Sequence, residues 1–131
     1  MANKTIVITG ASAGIGAGIA ARLAADGHAL VLAARRRPEL DRVAEDAMQR
    51  GSRRAIVVET DVTKRADVER LSDAAIEAFG GFDVWINNAG RGITRSVLDL
   101  SDRDIDDMIS LNVKSALYGM QVAVAHFIER G

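Results

Sequence analysis

The chain has 131 residues, 48% hydrophobic and 27% charged, which is globular composition and enough length to bury a core without covalent staples. Its 17 basic and 18 acidic residues leave a net charge of −1, so no bulk attraction draws it to nucleic acid or anionic lipid. The lack of cysteine excludes a disulfide scaffold, a thiolate metal site and a thiol nucleophile. No apolar run reaches the ~18 residues of a membrane span, and Met1 to Gly10 enters a strand-like pattern without signal-peptide architecture, so a soluble, cytoplasmic protein is expected.

Apolar runs and helical patterns alternate along the chain. Ile6-Val7-Ile8 reads as a first strand closed by a glycine-rich turn, after which Ile15, Ile19, Ala20 and Leu23 recur at helical spacing as far as Gly27. Leu30-Val31-Leu32 is a second strand. Pro38 suits the first turn of a second helix with Leu40, Val43, Ala44 and Ala47 on its inner face, ending near Gly51. Ile56-Val57-Val58 is a third strand. Thr63 is placed to cap a third helix, whose inner face reads Val68, Leu71, Ala75, Ile76 and Phe79 before Gly80-Gly81. Val84-Trp85-Ile86 makes a fourth strand and Asn87-Asn88-Ala89-Gly90 the turn after it. Ser101 and Asp104 fit a capping box that opens a helical stretch to about Arg130. Its apolar positions are Ile105, Met108, Ile109, Val113, Leu117, Met120, Val124 and Phe127, on a helix either continuous or broken near Asn112. Strands apolar throughout are buried on both faces, so the order predicts a doubly wound parallel α/β sheet of Rossmann type, one domain over residues 1–131.

The first turn, Thr9-Gly10-Ala11-Ser12-Ala13-Gly14-Ile15-Gly16, has the chemistry a diphosphate needs. Glycines let backbone N–H groups come close, the next helix supplies its dipole and unpaired donors, and Ser12 adds a hydroxyl. Folds that take NAD carry an acid about 20 residues further on, bonded to the ribose 2′-hydroxyl. Here that stretch is Ala33-Ala34-Arg35-Arg36-Arg37, with no acid. A guanidinium pairs with a 2′-phosphate, so NADP(H) is expected over NAD(H), with Arg35 as first contact and Arg36 as second. Arg37, Arg50, Arg53 and Arg54 read as solvated. His28 and His126 are isolated and read as structural, Trp85 reads as core, and Asp102, Asp104, Asp106 and Asp107 as the solvated acidic start of a helix.

Thr9–Gly16, Asp61-Val62, Asn87-Asn88-Ala89-Gly90 and Leu111-Asn112-Val113 follow one another in order, and over all 131 residues the chain resembles the short-chain dehydrogenase/reductase family. The resemblance implies a sheet of strand order 3-2-1-4, truncated relative to the family's seven strands, with the fourth strand an exposed apolar edge. It implies hydride transfer between the nicotinamide and a small carbonyl or secondary-alcohol substrate. Gly10, Ser12, Ala13, Gly14, Ile15 and Gly16 would hold the diphosphate. Asp61 and Val62 would flank the adenine, although Asp61 reads equally well as a turn residue ahead of Thr63. Asn88, Ala89 and Gly90 would line the ribose side, Asn87 would brace the sheet, and Asn112 would join the catalytic network. The family's chemistry further needs a serine and a Tyr-x-x-x-Lys pair, because an unperturbed tyrosine is a poor base at neutral pH. The one tyrosine, Tyr118, is followed four positions later by Val122. The chain therefore reads as the cofactor-binding half of an oxidoreductase. The alternative is a non-catalytic NADP(H)-binding module or shortened gene product. A homo-oligomer through the long C-terminal helix is also expected.

Overall fold

In the computed structural model, which describes residues 3–131, β1 (Thr5–Thr9), β2 (Ala29–Ala34), β3 (Ala55–Glu59) and β4 (Val84–Ile86) form one parallel sheet in the order β3-β2-β1-β4. The helices are α1 (Gly14–Ala25), α2 (Arg37–Arg50), α3 (Arg65–Phe79), α4 (Asp102–Ile109) and α5 (Ser115–Arg130). Alternation along the strands divides the core. Ile6, Ile8, Leu30 and Leu32 pack with Ala20 and Ala24 of α1 and Leu40 and Ala47 of α2. Val7, Val31 and Ala33 point the other way, against Leu71 and Ala75 of α3, Phe82, and Ala123 of α5. Both sheet faces are thus covered, as wholly apolar strands require. Among the described residues no helix is long and apolar enough to cross a membrane.

Two local expectations need correction. Thr63 does not cap α3, whose N-cap is Lys64 without a side-chain bond. Its Oγ1 and N–H both donate to Asp61 Oδ1, at 2.6 and 3.0 Å, because a carboxylate two residues back captures the hydroxyl first. Ile76 is 37% exposed, and Ser72 lies buried on that face instead. Ile15, at the first turn of α1, is 77% exposed and stands apart from the core that Ala20 and Ala24 enter. Arg54 is exposed as expected, with its guanidinium 5.3 Å from the Phe79 ring centroid and donating to Ala78 O near the end of α3.

The long helix differs more. It is broken: a π-helical turn, Ser110–Lys114, joins α4 to α5. Its large apolar residues are not the buried ones. Ser115, Gly119 and Ala123 are buried, whereas Ile105, Ile109, Val113, Leu117, Met120 and Val124 are each 45–52% exposed. A Cβ on Gly119 would collide with Asn87 Oδ1 and come within 2.7 Å of Trp85 Nε1, so a small residue sets the close approach of α5 to β4. Trp85 itself is only half-buried, its Nε1 donating to Asn87 Oδ1 at 2.9 Å while Asn87 Nδ2 donates to Ala116 O.

Fully buried Phe82 anchors the far end of α5. The His126 ring stacks on it with centroids 4.1 Å apart, and His126 Nε2 accepts the Phe82 N–H at 3.2 Å. His28 is likewise structural, its Nδ1 accepting the Lys4 N–H at 3.0 Å. Next to Phe82, Asp83 accepts the Thr5 N–H at 2.8 Å and pairs with Arg130 at 3.0 Å, tying β1, β4 and α5 together. The Thr5 N–H, and then Arg130, hold the Asp83 carboxyl below the usual carboxylate range against the opposing effect of burial. A depressed folded pKa means the stabilisation is complete above pH ~4 and is lost as pH falls through the folded value. Asp83→Asn is therefore expected to lower stability at neutral pH and to flatten the acid limb of the stability profile. Denaturant titrations across that range test this; parallel profiles for the two proteins would contradict it.

Candidate functional site

The four strands deliver their carboxyl ends to one cleft of about 530 Å³. Gly10 and Ser12 follow β1, Arg35 and Arg36 follow β2, and Thr60, Asp61, Val62 and Thr63 follow β3. Ala89, Gly90 and Arg91 follow β4, and Asp107, Ser110 and Leu111 close the far wall from α4 and the π-helical turn. This is the crevice in which doubly wound sheets bind ligands.

The glycine turn is fixed from beneath. Thr9 Oγ1 accepts the N–H groups of Asn88 and Ala89 at 3.0 and 3.1 Å, and Asn88 Nδ2 donates to Gly10 O at 3.2 Å. Gly16 lies against that knot: a Cβ there would collide with Gly10 O and sit 2.6 Å from Asn88 Nδ2. No side chain caps α1, so its first N–H groups remain open to an external acceptor. Arg35, Arg36 and Arg91 bring three exposed guanidinium groups to the walls, and among the described residues none of them has a carboxylate partner.

Asp61 lines the cleft and also makes the turn, its Oδ1 taken up by Thr63. Its N–H donates to Asp67 at 2.8 Å; that bond first, and then Arg70, hold the Asp67 carboxyl below its usual range although burial opposes them. Asn112 sits in the π-helical turn, where such irregularities often mark function. Its Oδ1 accepts the Arg91 N–H at 3.0 Å and its Nδ2 donates to Arg91 O at 2.9 Å, so it clamps the residue after the Asn-Asn-Ala-Gly turn by both backbone groups.

Of the residues singled out from sequence, Gly10, Ser12, Arg35, Arg36, Asp61, Val62, Ala89 and Gly90 meet in the cleft wall. Ala13, Gly14, Ile15 and Gly16 form the entry and first turn of α1 beside it, while Asn88 and Asn112 bond to backbone behind it. Arg91 to Val97 was the segment the sequence offered for a further pocket wall, and Arg91 lines the cleft, whereas Thr60, Thr63, Asp107, Ser110 and Leu111 were not foreseen as lining. Thr60, Thr63 and Ser110 stand directly beside a quoted motif and Leu111 within one. Asp107 in particular is a wall residue, not only part of an acidic helix start. The sole tyrosine, Tyr118, lies outside this wall, its ring 4.5 Å beneath the Arg65 guanidinium.

A parallel sheet of this order, with a glycine turn opening an uncapped helix, defines a doubly wound α/β protein of Rossmann type. The model of the short chain dehydrogenase family matches residues 4–131, and the chain belongs to that family. It is 40% identical over 129 residues to the uncharacterized oxidoreductase YxnA of Bacillus subtilis (strain 168), covering 98% of this chain and 36% of that protein. The X-ray structure of an alcohol dehydrogenase from the archaeon Thermococcus sibiricus, complexed with 5-hydroxy-NADP, matches with a TM-score of 0.91 and 36% identity over 98% of this chain and 55% of that one. An NADH-dependent reductase, A1-R′, complexed with NAD, matches with a TM-score of 0.88 and 32% identity over 98% and 53%. The chain thus spans about half the length of these structural relatives and about a third of YxnA.

The two inner glycines differ in what they require. Gly14 has φ +56° with open space around it, so an alanine there is expected to cost about 1–2 kcal/mol of left-handed strain. Gly16→Ala must also displace backbone and is expected to lower the melting temperature further. Thermal melts of the two variants test the order; an equal or smaller loss for Gly16→Ala would contradict the packing described.

Proposed function

We propose that this chain is the dinucleotide-binding part of an NADP-dependent oxidoreductase that transfers hydride between the nicotinamide and a carbonyl or secondary alcohol. The observation that carries the reading is the set of unpaired guanidinium groups at Arg35, Arg36 and Arg91 in one cleft with an uncapped helix start. The residues fit the group. Backbone N–H groups from Ser12 to Gly16 and the Ser12 hydroxyl would take the diphosphate, with Gly10 and Ala13 shaping the turn and Ile15 covering its outer side. Arg35, with Arg36 beside it, would pair with the 2′-phosphate. Asp61 and Val62 would border the adenine, Asn88, Ala89 and Gly90 would carry backbone past the ribose, and Asn112 would hold the loop at the edge of the reaction site. When bound, the cofactor supplies or accepts the hydride.

A second reading has its own observation. Tyr118 is stacked under Arg65 and Val122 stands where a lysine would be needed, so Tyr118 does not form the tyrosine–lysine pair the family's chemistry uses. On this reading these 131 residues bind NADP(H) without turning it over. Activity of the purified 131-residue chain with NADPH and a carbonyl would contradict it. Self-association is also part of the proposal, since the outer stripe Ile109, Val113, Leu117, Met120 and Val124 is a contiguous apolar surface of the kind soluble proteins cover with a partner. A second copy is the occupant we assign to it.

One substitution separates the cofactor reading from generic nucleotide binding. Arg35→Ala removes a charge-assisted contact and is expected to weaken NADPH binding by about tenfold or more while leaving NADH within about twofold. Fluorescence titration of both reduced cofactors measures this; equal losses for both would contradict a role at the 2′-phosphate.

A further inference from the structure

Beside the main cleft lies a second, shallower groove of about 270 Å³ between α1 and α2, and Ser12 belongs to both. Glu39, in the first turn of α2, lines this second groove with Ala17, Arg42, Val43 and Asp46. Its neighbours are paired: Asp46 with Arg50 at 2.6 Å, and Arg37 with Asp41 at 3.6 Å. Glu39 is held more loosely than Asp46. Oε1 stands 3.6 Å from Arg42 Nη2, on a side chain 74% exposed, and Oε2 is shut off from solvent with no hydrogen-bond partner. The dipole of α2 favours an acid in its first turn, but it does not account for an oxygen closed off without a donor. The Glu39 side chain is 33% exposed, so solvent screens part of its charge, and the groove it lines meets the main cleft at Ser12.

We infer that Glu39 is a second determinant of cofactor choice, a fixed negative charge that opposes a 2′-phosphate and moderates the preference created by Arg35. The inference rests on the reading of the cleft as a nucleotide site. A 2′-phosphate held between Ser12 and Arg35 brings up to two negative charges toward this carboxylate, whereas a 2′-hydroxyl brings none. Arg42 acts in the opposite sense, as the cation that partly offsets Glu39.

The adenosine halves of the two cofactors, 2′,5′-ADP and 5′-AMP, isolate the effect from the nicotinamide end. Calorimetric titration of the full chain with each is expected to show Glu39→Gln tightening 2′,5′-ADP by about three- to tenfold and changing 5′-AMP by less than about twofold. Arg42→Gln should weaken 2′,5′-ADP, and the two variants should melt as the parent does. Binding ratios unmoved in both variants would overturn the inference while leaving the nucleotide site standing. Failure of both probes to bind the parent chain would remove the nucleotide reading itself, and the inference with it.

Discussion

The threonine at the end of β1 and the second asparagine after β4 tie two strand ends into one surface. Thr9 Oγ1 receives two N–H groups from the β4 turn, and Asn88 reaches back to Gly10 O. The glycine turn is consequently built on a fixed base rather than left as a free loop, and Gly16 must lack a Cβ for α1 to begin so close. The uncapped start of α1 is positioned by that knot. Removing any of its members would disturb the approach of an anion without touching the anion itself.

The sheet imposes a second constraint. Parallel strands are stable when both faces are covered, and here α1 with α2 and α3 with α5 do the covering. The fit of α5 depends on small residues, because Ser115, Gly119 and Ala123 allow its backbone to lie against β4 and α3. Phe82, His126, Asp83 and Arg130 then fasten its far end. The same helix is therefore a tightly docked cover on one side and an apolar surface on the other. The π-helical turn before it lets Asn112 face back to Arg91 and hold the loop that leaves β4.

Much of this was legible in the residues. Wholly apolar strands alternating with helical patterns specified the doubly wound sheet, and the capping box at Ser101 and Asp104 is formed as its spacing implies. What escaped was competition and direction. The turn reading of Asp61 was open in the sequence, but not that it would take the Thr63 hydroxyl and leave α3 without a side-chain cap. Periodicity identified the large apolar stripe of the long helix but not the side it faces, because Ser115, Gly119 and Ala123 repeat at the same helical interval. At the site, glycines and arginines adjacent to strand ends were readable. Asp107 was not, because its place in the wall depends on how the turn after β4 and α4 meet in space.

These residues are expected to fold and to present a nucleotide-binding surface at the strand ends. The most direct test is a thermal melt of the purified chain alone and with saturating NADPH. A ligand that binds only the native state adds about 2.7 kcal/mol at a hundredfold excess over Kd. The account predicts a cooperative melt, shifted upward by NADPH and less by NADH. A cooperative melt that neither cofactor moves would contradict it.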